Sequence, residues 1–378
     1  EYEKTFYKTS GIEKFFISPK DHHLAYTQML DNRNFVRIMD SKKKAELAFF
    51  EIPLVQSRFA TDELKENIEW APEEDYLSVP IVEIMTNKKT GETSERVFYY
   101  IIEAPTEPIK NYWDLNLLTG RNDIRRVRWD PQEKGYLFFL SNNQLIRFNV
   151  NNPLALSVIA ENVSSYDLSP NAVYFSKKPN EIVYKTSLDG QSEKTQLTFD
   201  FPGDVKNNNE KLIVYDDQRM AFLNSDKNLY VFNKGEHADY FKNLASEIEG
   251  LHFSNDGKKL LFWNKNEISV HFLRDWTVQP TRYEGETNNI TRYINEIANV
   301  QWHKDYEHVI FSVGPEIKII ELDPRDIRNC MNLVTSNQKE FLATYNHSQE
   351  ILFFIDKKDN LPELASIIFP ESENFLGF

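Results

Sequence analysis

Four arginines stand close together in a chain that is otherwise acidic. Arg121, Arg125, Arg126 and Arg128 fall in one short stretch, against a formal net charge of -14 over 378 residues. Guanidinium groups at this spacing suit a carboxylate, a phosphate or an acidic peptide, because the planar fork matches two acceptor oxygens at once. Arg126 and Arg128 flank Val127 at the start of an apolar run, so a strand there would aim them toward a central channel or one of its mouths. The simpler use of the same charges is pairing with acidic neighbours. Trp113 and Trp276 lie outside the repeated tryptophan position described below and are candidates for exposed recognition.

Eight histidines raise the question of metal ligation, above all His22 with His23 and His303 with His308. No His-Glu-x-x-His or equivalent spacing occurs. His22 and His23 precede a strand-like run, and His303 takes a turn position that Ser or Asp fills elsewhere. Structural or solvated histidines are therefore expected, with no bound metal. Catalytic signatures are equally scarce: the sequence holds no Gly-x-Ser-x-Gly elbow and no glycine-rich phosphate loop, so neither a serine peptidase nor a nucleotide cofactor is expected. The acidic pairs Glu73-Glu74 and Asp216-Asp217 fall in turns, where solvated carboxylates are ordinary. A glycosidase pair assembled across repeats would leave no local trace.

Composition narrows the classes further. The net negative charge argues against a nucleic-acid groove, which needs a positive surface. Cys330 is the only cysteine, which excludes an intrachain disulfide, a paired redox motif and a cysteine-based zinc site. No window approaches the roughly 18 apolar residues that a membrane helix needs. Aromatic residues make up 13% of the chain, mostly Phe and Tyr, and these sit well on pleated, half-buried surfaces.

The elements that must position these residues are recorded in an internal repeat. Phe15-Phe16-Ile17-Ser18-Pro19, Ile68-Glu69-Trp70-Ala71-Pro72, Val127-Arg128-Trp129-Asp130-Pro131, Tyr166-Asp167-Leu168-Ser169-Pro170, Leu251-His252-Phe253-Ser254-Asn255 and Val300-Gln301-Trp302-His303-Lys304 share one pattern, a short apolar strand closed by a turn former. Two further apolar runs follow each copy, as Leu260-Leu261-Phe262-Trp263 and Ile268-Ser269-Val270-His271-Phe272 follow the fifth. Start-to-start spacings are roughly 53, 59, 39, 85 and 49 residues, so the long gap should hide a degenerate copy. Leu212 to Tyr215, Met220 to Leu223 and Leu229 to Phe232 supply it, and Phe341 to Tyr345, Ile351 to Ile355 and Leu364 to Phe369 supply a final one.

A period of about 47 residues with three or four strands per unit is the arithmetic of an all-β closed β-propeller. About eight four-stranded blades are expected, or seven if the degenerate segment is an insertion. Residues 1–378 then form a single propeller domain, with the strand-like stretch from Lys4 to Lys8 closing the ring on the last blade. Trp70, Trp129, Phe253 and Trp302 occupy equivalent core positions. The polar segments from Thr86 to Glu95 and from Tyr283 to Ile294 read as surface connections, and Lys42-Lys43-Lys44 as a solvated turn.

The run from Ser254 to Phe262, with Asn266-Glu267-Ile268 after it, resembles the TolB-type, WD40-like bacterial propeller repeat, without the Trp-Asp and Gly-His marks of eukaryotic WD40 blades. The segments Val300-Gln301-Trp302-His303 and Glu316 to Asp323 are similar to the C-terminal propeller of bacterial PEGA-domain proteins. That resemblance implies an extracytoplasmic protein, anchored to the cell membrane by an upstream segment, and is consistent with a chain starting at Glu1. The function expected is non-enzymatic binding or scaffolding of a protein, peptide or cell-wall ligand by a monomer. The competing class is a propeller enzyme of lyase or glycosidase type, with carboxylates near the central channel.

Overall fold

The computed structural model describes residues 3–369 apart from positions 8, 10, 44, 55–56, 62–65, 87–90, 105–110, 203–208, 326, 337–341 and 360. Lys8, Lys44, residues 87–90 of the Thr86 to Glu95 segment and Phe341 lie outside the described residues. The described strands form eight antiparallel sheets, seven of four strands and one of five. The protein is an all-β propeller of eight blades.

Each blade begins on a short strand that the repeat marks. These innermost strands are Ile12–Ile17, Glu69–Trp70, Arg125–Trp129, Val163–Ser169, Asn209–Asp216, Gly250–Phe253, Ile297–Trp302 and Ala343–Asn346, in blades 1 to 8. The degenerate segment is a full blade. Val214, Phe222 and Val231 stand on the adjacent strands Asn209–Asp216, Arg219–Asn224 and Leu229–Lys234 of blade 5, with Leu212 opposite Phe222 and Phe222 opposite Tyr230. The eighth sheet joins the two ends of the chain: Thr5–Tyr7 pairs antiparallel with Leu361–Ile368, Thr5 facing Ser366 and Tyr7 facing Leu364. Lys4 Nζ adds an ion pair 2.7 Å from Asp356 Oδ2.

By compactness the chain divides into two units, residues 18–234 with 240–246, and residues 1–17, 235–239 and 247–378. In the first, Leu137, Phe139, Ile146, Phe148 and Trp129 form a buried core with Tyr99 and Leu115. In the second, Trp263, Val270, Trp302, Val309 and Phe311 do the same. The turns follow from local chemistry. In blade 6 the Ser254 hydroxyl donates to Asp256 Oδ1 at 2.6 Å and accepts the Lys259 amide at 3.0 Å, while Gly257 takes a φ of 63° that a β-carbon would disfavour. In blade 3, Asn142 and Asn143 take φ of 51° and 57° in the two-residue turn between Tyr136–Ser141 and Gln144–Asn149.

Trp70, Trp129 and Trp302 are buried. The indole N–H of Trp129 donates to the Glu69 carbonyl at 3.1 Å, and that of Trp302 to the His252 carbonyl at 3.3 Å, each carbonyl preceding the equivalent aromatic one blade earlier. Phe253 departs from the expectation and is half-buried. Blade 6 fills its core with Trp263 instead, whose ring stands 2.1 Å from where a β-carbon on Gly250 would sit. Two polar segments are also corrected. Tyr283 to Ile294 contains Thr287–Arg292, the outer strand of blade 6, and Thr93 to Glu95 continue the long hairpin of Tyr76–Thr86 with Thr93–Glu103. A polar outer strand exposed on one side lacks the apolar alternation that marks a strand in sequence. Among the described residues no helix is long and apolar enough to cross a membrane.

Candidate functional site

The arginine stretch divides into two environments because the innermost strand of blade 3 is bulged. Arg125 faces Leu140 and Arg128 faces Phe138, so three residues span what two span opposite, and Arg126 takes a φ of 55° at the irregularity. The backbone of Arg126 is held on both sides: its amide donates to Glu66 Oε2 at 2.8 Å, and its carbonyl accepts the Tyr166 hydroxyl.

Beyond the bulge, Arg128 joins an ionic chain across neighbouring blades. Its Nε lies 3.4 Å from Glu69 Oε1 in blade 2, and its Nη1 lies 3.0 Å from Asp167 Oδ1 in blade 4. Asp167 Oδ2 accepts the amide of Val214 in blade 5 at 2.8 Å. Burial pushes the Glu69 carboxyl upward, against the opposing pull of Arg128 and Lys211. The attraction of Glu69, and then of Asp167, outweighs burial and holds the Arg128 guanidinium still more firmly charged. Burial likewise drives the Tyr166 hydroxyl well above its ordinary range.

Before the bulge, Arg121 and Arg125 turn to the Ser141–Asn143 end of the same blade. Helix α1, Leu115–Thr119, stops at Gly120, whose φ of 66° suits glycine, and delivers Arg121 to this end. Arg121 Nη1 donates to Ser141 Oγ at 3.1 Å. Arg125 Nη2 and Lys178 Nζ, the latter from blade 4, each stand 3.4 Å from Asn143 Oδ1. Asp123 lies in the same turn, its oxygens engaged at 2.5 Å by the Ser141 hydroxyl and the Asn142 amide. Burial raises the Asp123 carboxyl, but these two donors outweigh it and keep it below the usual range. Lys178 carried no signal in the sequence, since its approach depends on the turn of the following blade.

The two tryptophans sit apart from this cluster. Trp113 is half-buried against the core of blades 2 and 3, its ring 6.2 Å from that of Tyr76. Trp276 is half-buried in the other unit, bridged to Arg282 by backbone bonds of 2.8 and 2.9 Å. The buried ammonium of Lys259 stands 4.1 Å from the Trp276 ring centroid and donates to the Tyr306 carbonyl and to Glu307 Oε1.

The histidines gather around carboxylates. His22 Nδ1 and His23 Nδ1 lie 2.9 and 3.4 Å from Glu74 Oε2. Glu74 is buried, unlike the solvated turn residue expected, because the blade 2 turn reaches over Ser18 to His23 of blade 1 and accepts the Lys20 amide at 2.8 Å. Burial raises its carboxyl, yet the Ser18 hydroxyl, the Lys20 amide and His22 outweigh that and lower it. Asp216 and Asp217 also differ from the simply solvated turn residues expected: Asp217 takes Lys185 at 2.8 Å and the Tyr174 hydroxyl at 2.6 Å, and Asp216 ends the strand Asn209–Asp216 and pairs with Arg219. In blade 7, His303 Nδ1 and His308 Nδ1 lie 3.1 and 2.8 Å from Asp305 Oδ2.

No protein-family model matches the sequence, and neither does any curated protein. Solved structures do match in fold. The β-propeller domain of Cps50 (Swd1) from Myceliophteria thermophila superposes with a TM-score of 0.51 at 10% identity, covering 96% of this chain and 98% of that one. Hsv2 from Kluyveromyces lactis gives 0.52 at 11% identity, over 88% and 100%. The dihydro-heme d1 dehydrogenase NirN gives 0.52 at 11% identity, over 87% and 67%. At such identities the likeness establishes a WD40-like eight-bladed propeller and no more, and the same architecture evidently carries an enzyme in one of these proteins.

Proposed function

We propose that this chain is a non-enzymatic binding propeller that holds an acidic peptide segment of a partner protein at the Ser141–Asn143 end of blade 3. One observation carries the reading: Arg121, Arg125 and Lys178 converge on a single turn, hydrogen-bonding Ser141 and Asn143, three cations beside the Asp123 carboxylate, in a chain of net charge -14. Arg128 contrasts with them, since Glu69 and Asp167 already neutralise it. The same chain of contacts weighs against a glycosidase pair, because both carboxylates are committed to one guanidinium. The TolB-type and PEGA-associated relationship belongs to the proposal, as does an extracytoplasmic location on an upstream anchor; both rest on the Ser254 to Phe262 and Val300 to Asp323 segments.

The test is fluorescence anisotropy with a labelled peptide of alternating Glu and Asp. Binding should weaken steeply with salt, and Arg121→Glu with Arg125→Glu should weaken it at least about tenfold, the cost of losing charge-assisted contacts. Equal affinity of the double variant and the parent overturns the assignment. Pull-down with the full-length protein from its source, with and without the double substitution, identifies the partner. Fractionation that finds the protein in the cytosol would remove the location from the proposal.

A further inference from the structure

The first hairpin turns of blades 6 and 7 share one backbone frame. Ser254 N bonds the Lys259 carbonyl at 2.8 Å and Gly257 N the Ser254 carbonyl at 2.9 Å; His303 N bonds the His308 carbonyl at 2.9 Å and Tyr306 N the His303 carbonyl at 3.0 Å. His303, Asp305 and His308 therefore stand where Ser254, Asp256 and Lys259 stand. In blade 6 the Ser254 hydroxyl and the Lys258 amide both donate to Asp256 Oδ1. Blade 7 instead directs two imidazole nitrogens at one carboxylate oxygen, Asp305 Oδ2, from 3.1 and 2.8 Å.

We propose that His303 Nδ1, His308 Nδ1 and Asp305 Oδ2 form a binding site for a zinc-class divalent cation, with a fourth position for water or an incoming carboxylate. One potential ligand atom from each of the three residues lies within 4.8 Å of the others. Tetrahedral zinc with bonds of about 2.0 to 2.2 Å places its ligands roughly 3.3 Å apart, so the cation fits with small side-chain adjustments. A two-imidazole, one-carboxylate set suits zinc better than calcium or magnesium, which prefer all-oxygen shells.

The surroundings orient the ligands. Asp305 Oδ1 accepts the Glu307 and His308 amides at 2.8 and 3.1 Å, which leaves Oδ2 turned to the imidazoles. The His303 ring stacks on Tyr345 at 5.4 Å and meets Phe369 at 5.7 Å, so its direction is fixed by packing. Such supporting contacts are what a metal site requires around its ligands. The sequence marks His303 and His308 as a pair, but His-x-Asp-x-x-His matches none of the common zinc signatures, and Asp305 joins them only through the turn.

Calorimetry with ZnCl₂ on the EDTA-treated full chain tests the assignment. One Zn²⁺ should bind per chain and raise the melting temperature, and Co²⁺ should give the intense visible absorption of a tetrahedral site. His303→Ser with His308→Lys installs the blade 6 residues at the turn; it should weaken zinc binding at least about 100-fold, with some loss of melting temperature in EDTA from the lost packing on Tyr345 and Phe369. His308→Gln, the milder variant, should weaken binding in the same direction if the double variant proves unstable. His237→Gln removes the exposed Glu236, His237 and Asp275 cluster and should leave binding intact. Zinc binding that survives in the blade 7 variants, or disappears with His237→Gln, overturns the proposal, as does a parent chain that takes up no zinc.

Discussion

Replacing Arg128 with Met should destabilise the protein by about 2 to 3 kcal/mol, between the values typical of exposed pairs and those of buried ones. At an effective dielectric constant near 20, contacts at 3.4 Å to Glu69 and 3.0 Å to Asp167 are each worth about 5 kcal/mol before desolvation is subtracted. The Arg128 side chain keeps 39% of its surface exposed, so water screens much of that attraction and the net loss falls well short of the gross figure. Methionine preserves most of the aliphatic volume, which isolates the charge. The effect should also depend on pH. The Glu69 carboxyl is already raised above its ordinary value, so its contribution to stability is greatest below that value and is lost as pH rises through the folded one. Removing Arg128 raises Glu69 further. The deficit of the variant should therefore be largest near pH 8 and shrink toward pH 5 as Glu69 takes up a proton. Urea denaturation followed by tryptophan fluorescence at both pH values measures it. A midpoint unchanged at pH 8, or a deficit that grows on acidification, would refute the ionic chain as a stabilising element.

Three further outcomes test the fold. Trp302→Ala should cost about 3 to 5 kcal/mol through the lost packing and the lost bond to the His252 carbonyl, and a loss under about 1 kcal/mol in urea denaturation would contradict its place in the core. Gly250→Ala should cost about 1 to 3 kcal/mol or more, because the new β-carbon would meet the rigid Trp263 ring at 2.1 Å; a melting curve identical to the parent's would contradict that close approach. Deleting residues 1–10 should lower the melting temperature by several degrees by removing the Thr5–Tyr7 ladder and the partner of buried Asp356. Burial raises the Asp356 carboxyl, but Lys4 and Ser336 outweigh it and hold it low, so this stabilisation is present above the ordinary aspartate value and is lost as pH falls through the depressed one. Calorimetry that shows no change at pH 7 would rule out the terminal strand as a clasp.

The blade repeat was legible because its signals are local. Apolar alternation, the Ser, Asp and Pro turn formers, and the recurring Trp70, Trp129 and Trp302 each depend on residues a few positions away, and eight innermost strands follow from them. Even the degenerate blade around Val214 could be placed by its spacing. The outer strand Thr287–Arg292 escaped notice because one side of it meets water, where selection for alternation is weak.

What the charged and imidazole side chains do was settled only by tertiary structure. Arg128 and Arg125 look alike in sequence, yet a bulge between them sends one into an ionic chain with Glu69 and Asp167 and the other to Asn143. Glu74 looks solvated until the turn of blade 2 buries it against His22 and His23, and His303 looks like a substitute turn residue until His308 meets it on Asp305. Alternation within a strand specifies which face a residue occupies. Which charge lies opposite is decided only when blades tens of residues apart are packed side by side, where a few ångströms of register separate a neutralised guanidinium from one that faces solvent.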